Sequence, residues 1–188
     1  MSEAPGVRPT DVEGRRIQPV IDQLKTWTHD RVSPLLDTKQ IDSKAGIIVA
    51  RNMGDETETP DGLYHYHAAR VLPDDPKFPN NYVNPHFHKI GEEPYVILKG
   101  NEGEMNLGKV IDGKVVWDQP RSVREGETVL VQEGQVHSLR NTGKEPLDFV
   151  FACPESHLTD NTPEDPTGDR YFTMDLPNGI PPQYPKAA

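Results

Sequence analysis

Three side chains with metal-binding chemistry lie close together in the segment HFHKIGEEPYVILKG, which covers residues 86–100. His86 and His88 alternate around Phe87, and since successive side chains of a strand point to opposite faces, both imidazoles emerge on one face. Glu93 follows five residues after His88 and opens an aromatic and β-branched run that is typical of a strand. Two imidazoles and a carboxylate on adjacent strands form most of a divalent-metal site.

A further imidazole lies downstream in the segment GETVLVQEGQVHSLRN, which covers residues 126–141. His137 follows a turn at Gly134 and begins a strand, so its ring can lean toward His86 and His88. We therefore expect these three histidines and Glu93 to bind one divalent transition metal.

Short extended segments separated by turns dominate the middle of the chain and must position these ligands. Strand patterns occur at 47–50, 63–72, 86–88, 95–98, 105–107, 110–111, 115–116, 129–131, 137–139 and 147–152. Asp112-Gly113 between two apolar pairs is typical of a hairpin turn. Because no helix–strand alternation is present, the pattern favours an antiparallel sandwich or barrel over a parallel α/β sheet.

The two ends of the chain differ from this middle part. Residues 1–16 are polar, and apolar residues at helical spacing from 17 to 24 predict a short helix that starts at Pro19. Ser33-Pro34 and the polar residues up to 45 are interpreted as a connector. The predicted organisation is an N-terminal arm with a short helix (1–45), a β-domain (46–156) and a Pro-rich C-terminal arm (157–188).

The two ligand-bearing segments resemble the paired sequence motifs of the cupin superfamily. The first motif, G-x5-H-x-H-x3,4-E-x6-G, is matched at His86, His88, Glu93 and Gly100, with Asn80 in place of the opening glycine. The second motif, G-x5-P-x-G-x2-H-x3-N, is matched at Gly126, Gly134, His137 and Asn141, with Gln132 in place of the proline. Neither departure affects a metal ligand.

This resemblance covers about residues 80–153 and implies an all-β fold, the double-stranded β-helix or jelly-roll barrel of the cupins. In cupins such residues hold Fe, Mn, Ni, Co, Cu or Zn and leave positions for water or substrate. Which of these metals binds here stays open, as does the reaction, because the fold hosts many chemistries.

Several further side chains are candidates for catalysis or substrate contact. Tyr95 alternates with Glu93, so we expect Glu93 and Tyr95 to be catalytic, the tyrosine through its hydroxyl group. On segment 63–72, His65 and His67 share one face while Tyr64, Tyr66 and Arg70 share the other, and either face can line the barrel. The candidate substrate-binding residues are Tyr66, His67, Arg70, Phe87, Met105 and Leu139. Glu92, the residue before Glu93, is an alternative ligand. His157 lies in a polar tail and is not expected to be a ligand.

The overall composition narrows the classes of partner. The formal net charge of −10 argues against nucleic acid or an anionic membrane surface, and no apolar run reaches the length of a membrane span. The single cysteine, Cys153, excludes an internal disulfide framework. We expect a cytoplasmic protein that forms a homodimer through its terminal arms and acts on a small molecule.

Three functions are compatible with this pattern. A metal-dependent dioxygenase is the first, with apolar neighbours keeping the pocket dry. A sugar or sugar-phosphate isomerase or epimerase is the second, because residues 85–105 locally resemble cupin-type glucose-6-phosphate isomerases, although the gap before the glutamate is shorter and no matching phosphate loop is present. A non-catalytic metal-binding or ligand-binding cupin is the third.

Overall fold

A computed structural model describes residues 9–51, 53, 63–73 and 81–184, and for residues 9–16 it describes the backbone alone. Asn80 and most of the two predicted loops before and after segment 63–72 lie outside the described residues. The elements in chain order are α1 (Pro9–Leu24), α2 (His29–Asp37), β1 (Ile41–Asp42), β2 (Ile47–Ala50), β3 (His65–Val71), β4 (His86–Phe87), β5 (Glu93–Lys99), β6 (Gly103–Ile111), β7 (Lys114–Trp117), β8 (Arg121–Val123), β9 (Thr128–Val131), β10 (Val136–Asn141), β11 (Leu147–Cys153), a 3₁₀ helix (Glu155–Leu158) and β12 (Tyr171–Phe172).

Two six-stranded antiparallel sheets form the body of the protein. The first has the strand order β1-β2-β3-β11-β5-β9, and the second has the order β12-β4-β10-β6-β7, with β8 also paired to β6. The β6–β7 hairpin turns at Asp112 and Gly113, which both have positive φ angles, as the Asp-Gly pair predicts. The predicted all-β jelly-roll fold is confirmed.

The N-terminal helical part is more extensive than the sequence predicts. Helix α1 begins at Pro9 rather than Pro19, and α2 extends from His29 into the segment from Ser33 onward that is interpreted as a connector. Pro34 lies inside α2, where Val32 and Leu36 are one turn apart and fully buried. The burial of this apolar face outweighs the cost of the proline.

Two apolar layers cover the two faces of the first sheet. The outer layer packs α1 and α2 against the sheet, and Leu24 and Trp27 are buried there. The inner layer lies between the two sheets and is rich in aromatic residues, including Tyr95 and Phe149. All seven residues of β11 are buried because this strand is covered on both faces. Within the described residues, no helix is long and apolar enough to cross a membrane.

Strand β3 shows which of its faces lines the barrel. His67 is fully buried and lies opposite Phe151 of β11, with the two ring centroids 5.0 Å apart, whereas Tyr66 belongs to the outer layer under the helices. Arg70 also lies on the outer side and reaches toward α2. The structure therefore does not bring Tyr66 or Arg70 to the predicted ligands, because the strand's alternation directs them to the opposite face.

Arg70 joins three elements through ion pairs. Its guanidinium donates Nε–H to Asp148 Oδ1 at 2.7 Å and Nη2–H to Asp148 Oδ2 at 2.8 Å, and it also pairs with Asp37 of α2. His29 Nε2 lies 3.1 Å from the same Asp148 carboxylate. Hydrogen bonding to Asp148 raises the pKa of Arg70 above its ordinary value. Since the Asp148 side chain is 1% exposed, this pair anchors the helical layer on the sheet.

Asp148→Ala is expected to lower the free energy of unfolding by about 3 kcal/mol, because it leaves the mostly buried Arg70 cation without its main partner. Asp37→Ala is the matched control, and its cost should stay below about 1 kcal/mol because Asp37 is a solvent-exposed partner of the same arginine. Urea unfolding of both variants measures the difference. Equal effects of the two substitutions would contradict the anchoring role of Asp148.

Candidate metal centre

The four predicted ligands converge between the two sheets. His86 of β4 lies directly opposite His137 of β10, and His88 follows β4 immediately, so the second sheet carries all three imidazoles. Glu93 is the first residue of β5 in the first sheet. All four residues are buried, and one donor atom from each lies within 4.8 Å of the others. Glu93 rather than Glu92 therefore completes the set.

Backbone carbonyl groups fix the orientation of each histidine ring. His86 Nδ1 lies 2.7 Å from the carbonyl oxygen of Asn84, His88 Nδ1 lies 2.9 Å from that of Asp169, and His137 Nδ1 lies 3.2 Å from that of Gln135. A carbonyl oxygen can only accept a hydrogen bond, so in each ring Nδ1 carries the proton. The neutral rings then present the Nε2 lone pair, which is the usual arrangement of a metal-binding histidine.

The carboxylate of Glu93 faces these lone pairs. Its Oε2 atom lies 3.1 Å from His88 Nε2 and 3.5 Å from His137 Nε2, and none of these three buried atoms has a hydrogen-bonding partner within the described residues. Burial would raise the pKa of Glu93, but the imidazoles of His137, His157 and His88 outweigh it and hold this pKa well below its ordinary value. Burial lowers the pKa of His86 and His88. The ionised Glu93 carboxylate therefore meets neutral rings at His86 and His88.

The geometry of these four side chains fits a metal ion. Lone pairs that converge on a buried carboxylate oxygen repel one another unless a cation lies among them. A donor set of three imidazole nitrogens and one carboxylate oxygen suits a first-row divalent metal and does not by itself select one. The predicted ligand set is thus brought together by the fold, and it could hold a metal.

A cavity of about 40 Å³ opens beside the ligands. His86, His88 and Glu93 contribute to its wall, and most of the remaining wall is apolar, contributed by Ala45, Ile47, Val49, Val83, Phe149, Phe151 and Leu158. Arg51 and Arg170 add positive charge to the wall, but each is ion-paired, with Asp42 and Asp160 respectively. The space suits a ligand with few non-hydrogen atoms.

Tyr95 lies beside the ligands, as predicted, and lines the cavity. Its hydroxyl group donates a hydrogen bond to Glu93 Oε1 at 3.2 Å. Burial, together with the charge of Glu93, raises the pKa of Tyr95 well above its ordinary value, so the hydroxyl keeps its proton. In this position Tyr95 holds the carboxylate so that Oε2 turns toward the imidazoles.

The other predicted substrate contacts are not brought to the cavity. Phe87 points away from the ligands and stacks on Tyr171 with the ring centroids 5.0 Å apart. Met105 and Leu139 are opposite one another on β6 and β10 and pack in the inner core, and neither is among the described residues that line the cavity. His67 faces the barrel interior but packs against Phe151 rather than lining the cavity.

Sequence reasoning missed two residues at the centre, His157 and Asp169. His157 is buried, and its ring stacks on His88 with centroids 3.7 Å apart and an angle of 4° between the planes. The signal for it is topological: β11 pairs antiparallel with β5, and Phe151 opposite Tyr95 directs the residues after Cys153 toward Glu93. The pairing of β11 with β5 cannot be read from the sequence of the polar segment that contains His157.

Asp169 supports the site without being a ligand to a second metal. His88, His157 and Asp169 form a cluster that could in principle hold an ion. However, the Asp169 carboxylate already accepts hydrogen bonds from the backbone N–H groups of Lys89 and Ile90, at 3.0 and 2.8 Å. His157 Nε2 is likewise engaged, at 2.5 Å from the carbonyl oxygen of Ile90. This cluster therefore orients His88 and the loop that follows it.

The motif residues that are not ligands shape the turns around the site. Gly100, Gly126 and Gly134 all have positive φ angles, which favour glycine. Asn141 closes the turn after β10 by donating to the carbonyl oxygens of Val71 and Glu145. Gln132, which replaces the motif proline, donates its backbone N–H to Gln135 Oε1, a bond that proline could not make.

A double-sheet β-roll with a buried cluster of three histidines and one glutamate is the class that this fold and site define. No protein-family model matches the chain, and no curated protein sequence matches it. Several solved structures are similar to it. They include oxalate oxidase in complex with glycolate, which is 23% identical with a TM-score of 0.46, and the match covers 63% of this chain and 56% of that chain. Oxalate decarboxylase from Bacillus subtilis, studied for its Mn(II) centres, is 21% identical with a TM-score of 0.44, and the match covers 64% of this chain and 28% of that chain. A Cupin 2 conserved barrel domain protein from Salinispora arenicola CNS-205 is 18% identical with a TM-score of 0.42, and the match covers 62% of this chain and 80% of that chain.

The chain thus spans little more than half of the oxalate oxidase chain and about a quarter of the decarboxylase. Since each of these identities is below 25% and each TM-score is below 0.5, the reactions of those enzymes do not transfer to this chain. Its function has to be inferred from its own residues.

His67 makes stability depend on pH. Burial lowers its pKa from 6.5 to about 4, so the unfolded chain binds this proton more readily than the folded chain between these values. The contribution of neutral His67 to the free energy of unfolding is fully present above pH 6.5. It is lost as the pH falls toward 4, by about 3 kcal/mol in total. His67→Gln removes the titrating group, so its free energy of unfolding, measured in urea at several pH values, should fall less than that of the wild type over this range. Parallel curves for the two proteins would contradict this assignment.

Proposed function

We propose that this protein is a metal-dependent enzyme of the cupin type that acts on a small organic molecule. The observation that carries the proposal is the convergence of unpartnered Nε2 atoms from His88 and His137 on the unpartnered Oε2 of Glu93, in a buried site beside a cavity. A structural role alone would not require buried donor atoms that face one another without hydrogen bonds.

The chain's own residues have separate tasks in such an enzyme. The carbonyl groups of Asn84, Asp169 and Gln135 keep the three rings in the tautomer that offers Nε2. Tyr95 holds Glu93 through its hydroxyl group. The apolar cavity wall excludes bulk water, which strengthens every electrostatic interaction inside.

Oxidation of the small molecule by O₂, as in a dioxygenase, is the reaction class that we favour. A bound redox-active metal would orient an oxygen-bearing substrate and O₂ in the same pocket. The apolar wall supports this choice because a dry pocket protects reactive species from water. The volume of about 40 Å³ supports a substrate of a few non-hydrogen atoms.

The same cavity argues against the isomerase alternative. A sugar phosphate needs more room and free cationic groups for its phosphate, whereas Arg51 and Arg170, the basic residues among the described wall, are already paired with carboxylates. A non-catalytic binding protein would contain the same four ligands, and only measured turnover separates it from an enzyme.

Substituting a ligand should abolish metal binding. His86→Ala and His137→Ala are each expected to purify with less than about a tenth of the wild-type metal content, because each removes one of four protein donors. Metal analysis of protein purified without added metal makes the measurement.

His65→Ala is the matched control, since it removes a half-buried histidine of β3 that is not part of the cluster. It should keep the wild-type stoichiometry. Retained stoichiometric metal in the His86 and His137 variants would refute the ligand assignment, and their circular dichroism would establish that they are folded.

The reaction class is tested by oxygen consumption. Protein reconstituted with Fe²⁺ or Mn²⁺ should consume O₂ with at least one member of a panel of 2-hydroxy acids, 2-oxo acids and dicarboxylates, at least about tenfold faster than the His137→Ala variant under the same conditions. An oxygen electrode measures the rate. Zinc as the sole tightly bound metal, or no difference between wild type and variant across the panel, would count against O₂ chemistry.

A further inference from the structure

Two arginines, Arg51 and Arg170, form part of a cavity wall that is otherwise mostly apolar. The carboxylates that pair with them, Asp42 and Asp160, are not among the described residues that line the cavity. The side chain of Arg170 is 9% exposed, whereas that of Arg51 is 44% exposed. Arg170 is therefore the cation whose interaction with a molecule in the cavity would be screened least by water.

Arg170 is held in a fixed position. Its backbone N–H donates to the carbonyl oxygen of Thr159 at 3.1 Å, and its own carbonyl oxygen accepts the backbone N–H of Asn161 at 2.9 Å. Its Nε–H donates to Asp160 Oδ1 at 2.7 Å, and its Cζ atom lies 5.2 Å from the ring centroid of Phe172. A planar guanidinium that is fixed in this way loses little conformational freedom when it forms a further hydrogen bond.

The segment around Arg170 borders the metal centre. The carbonyl group of Asp169, the preceding residue, accepts the Nδ1–H of His88. Phe172 lies opposite His86 in the pairing of β12 with β4, and the centroids of their rings are 5.9 Å apart. Arg170 thus lies between two residues that contact ligands of the metal, and it shares one cavity with those ligands.

The ion pair with Asp160 uses only part of the guanidinium. Nε and Nη2 both contact the Oδ1 atom, and Nη1 makes no hydrogen bond within the described residues. The Oδ2 atom of Asp160 accepts a hydrogen bond from Lys44 Nζ at 2.8 Å. Burial would raise the pKa of Asp160, but the hydrogen bonds from Lys44 and Arg170 outweigh it and lower this pKa. Two cations thus share one ionised carboxylate, which leaves an excess positive charge in this group of side chains.

The charge of Arg170 acts on the interior of the cavity wall. Cys153 is fully buried in that wall. Burial, together with the charge of Glu93, raises the pKa of the Cys153 thiol well above its ordinary value, whereas the charges of Arg170 and Arg51 act in the opposite direction. A negative group beside this part of the wall would be stabilised by both arginines.

We propose that Arg170 binds a carboxylate group of the substrate through Nη1, so that the substrate is a small carboxylic acid in its anionic form. The proposal rests on the proposed function and names the substrate class of the same site. A carboxylate matches the single excess charge and needs only one unused N–H donor, so it can bind without displacing Asp160. A phosphate dianion would need a cation that is free of its carboxylate partner, which Arg170 is not.

Acetate and acetamide are the probes, since they have nearly the same shape and differ in charge. Their binding to the Co²⁺-loaded protein is measured from the paramagnetic relaxation of their methyl protons in NMR titrations, which detects only molecules close to the metal. Arg170→Gln removes the charge. Arg124→Gln is the matched control, because the Arg124 side chain is 73% exposed and is not among the described residues that line the cavity.

The wild type should bind acetate at least about tenfold more tightly than acetamide, and Arg170→Gln should bind acetate at least about tenfold more weakly than the wild type, because a charge-assisted hydrogen bond is lost. Acetamide affinity should stay within about twofold in both Gln variants, since acetamide is neutral. Arg170→Lys keeps the charge and can keep the pair with Asp160 but lacks the planar guanidinium, so its acetate affinity should lie between these values. Urea unfolding and Co²⁺ stoichiometry check that the variants are intact.

Equal affinity of the wild type for acetate and acetamide would overturn the assignment of Arg170. Equal losses of acetate affinity in Arg170→Gln and Arg124→Gln would also overturn it, because the effect would then come from net charge alone. If Arg170→Gln does not fold, an unchanged acetate affinity in Arg170→Lys overturns it.

The proposed function fails or stands separately. O₂ consumption by a wild type that does not distinguish acetate from acetamide would leave the proposed function standing and overturn the role of Arg170. Acetate binding that depends on Arg170, without turnover of any carboxylate, would overturn the enzymatic function alone. A wild type that binds no stoichiometric Co²⁺ would overturn both proposals.

Discussion

The placement of one ionised carboxylate inside an otherwise apolar barrel is the constraint on which the rest of the structure depends. Glu93 is 4% exposed, and burial of a charge is costly unless it is compensated. The hydrogen bond from the Tyr95 hydroxyl compensates part of this charge, and a metal ion between Glu93 and the imidazole lone pairs of the opposite sheet would compensate the rest. Such an ion would join the two sheets at this point, whereas elsewhere they meet through apolar packing.

The fold meets this constraint by covering the first sheet on both faces. Because the helices pack on the outer face, β5 and β11 can be apolar on both sides and can direct Glu93 and Tyr95 inward without exposing the outer face. The ion pair between Arg70 and Asp148 fixes the helical layer. The outer layer is therefore part of what keeps the carboxylate dry, although it contributes no residue to the site.

Local spacing was sufficient to predict that the four candidate ligands come together, whereas the positions that depend on long-range strand register could not be predicted. His86, His88, Glu93 and His137 follow from strand alternation and turn position, so a sequence pattern contains them. Which face of β3 points into the barrel depends on which face the helices cover. The alternation of side chains along the sequence is the same in either case, so it cannot distinguish the two faces. The sequence therefore left open which face lines the barrel, and among the candidates from both faces the structure places Tyr66 and Arg70 on the side away from the ligands.

Phe87, Met105 and Leu139 illustrate the same limit. Each lies on a predicted strand near a ligand, but the direction of Phe87 is set by its stack on Tyr171, a residue of the C-terminal segment. Met105 and Leu139 are held in the apolar core by the packing between the two sheets. His157 was missed because its approach to Glu93 depends on the pairing of β11 with β5.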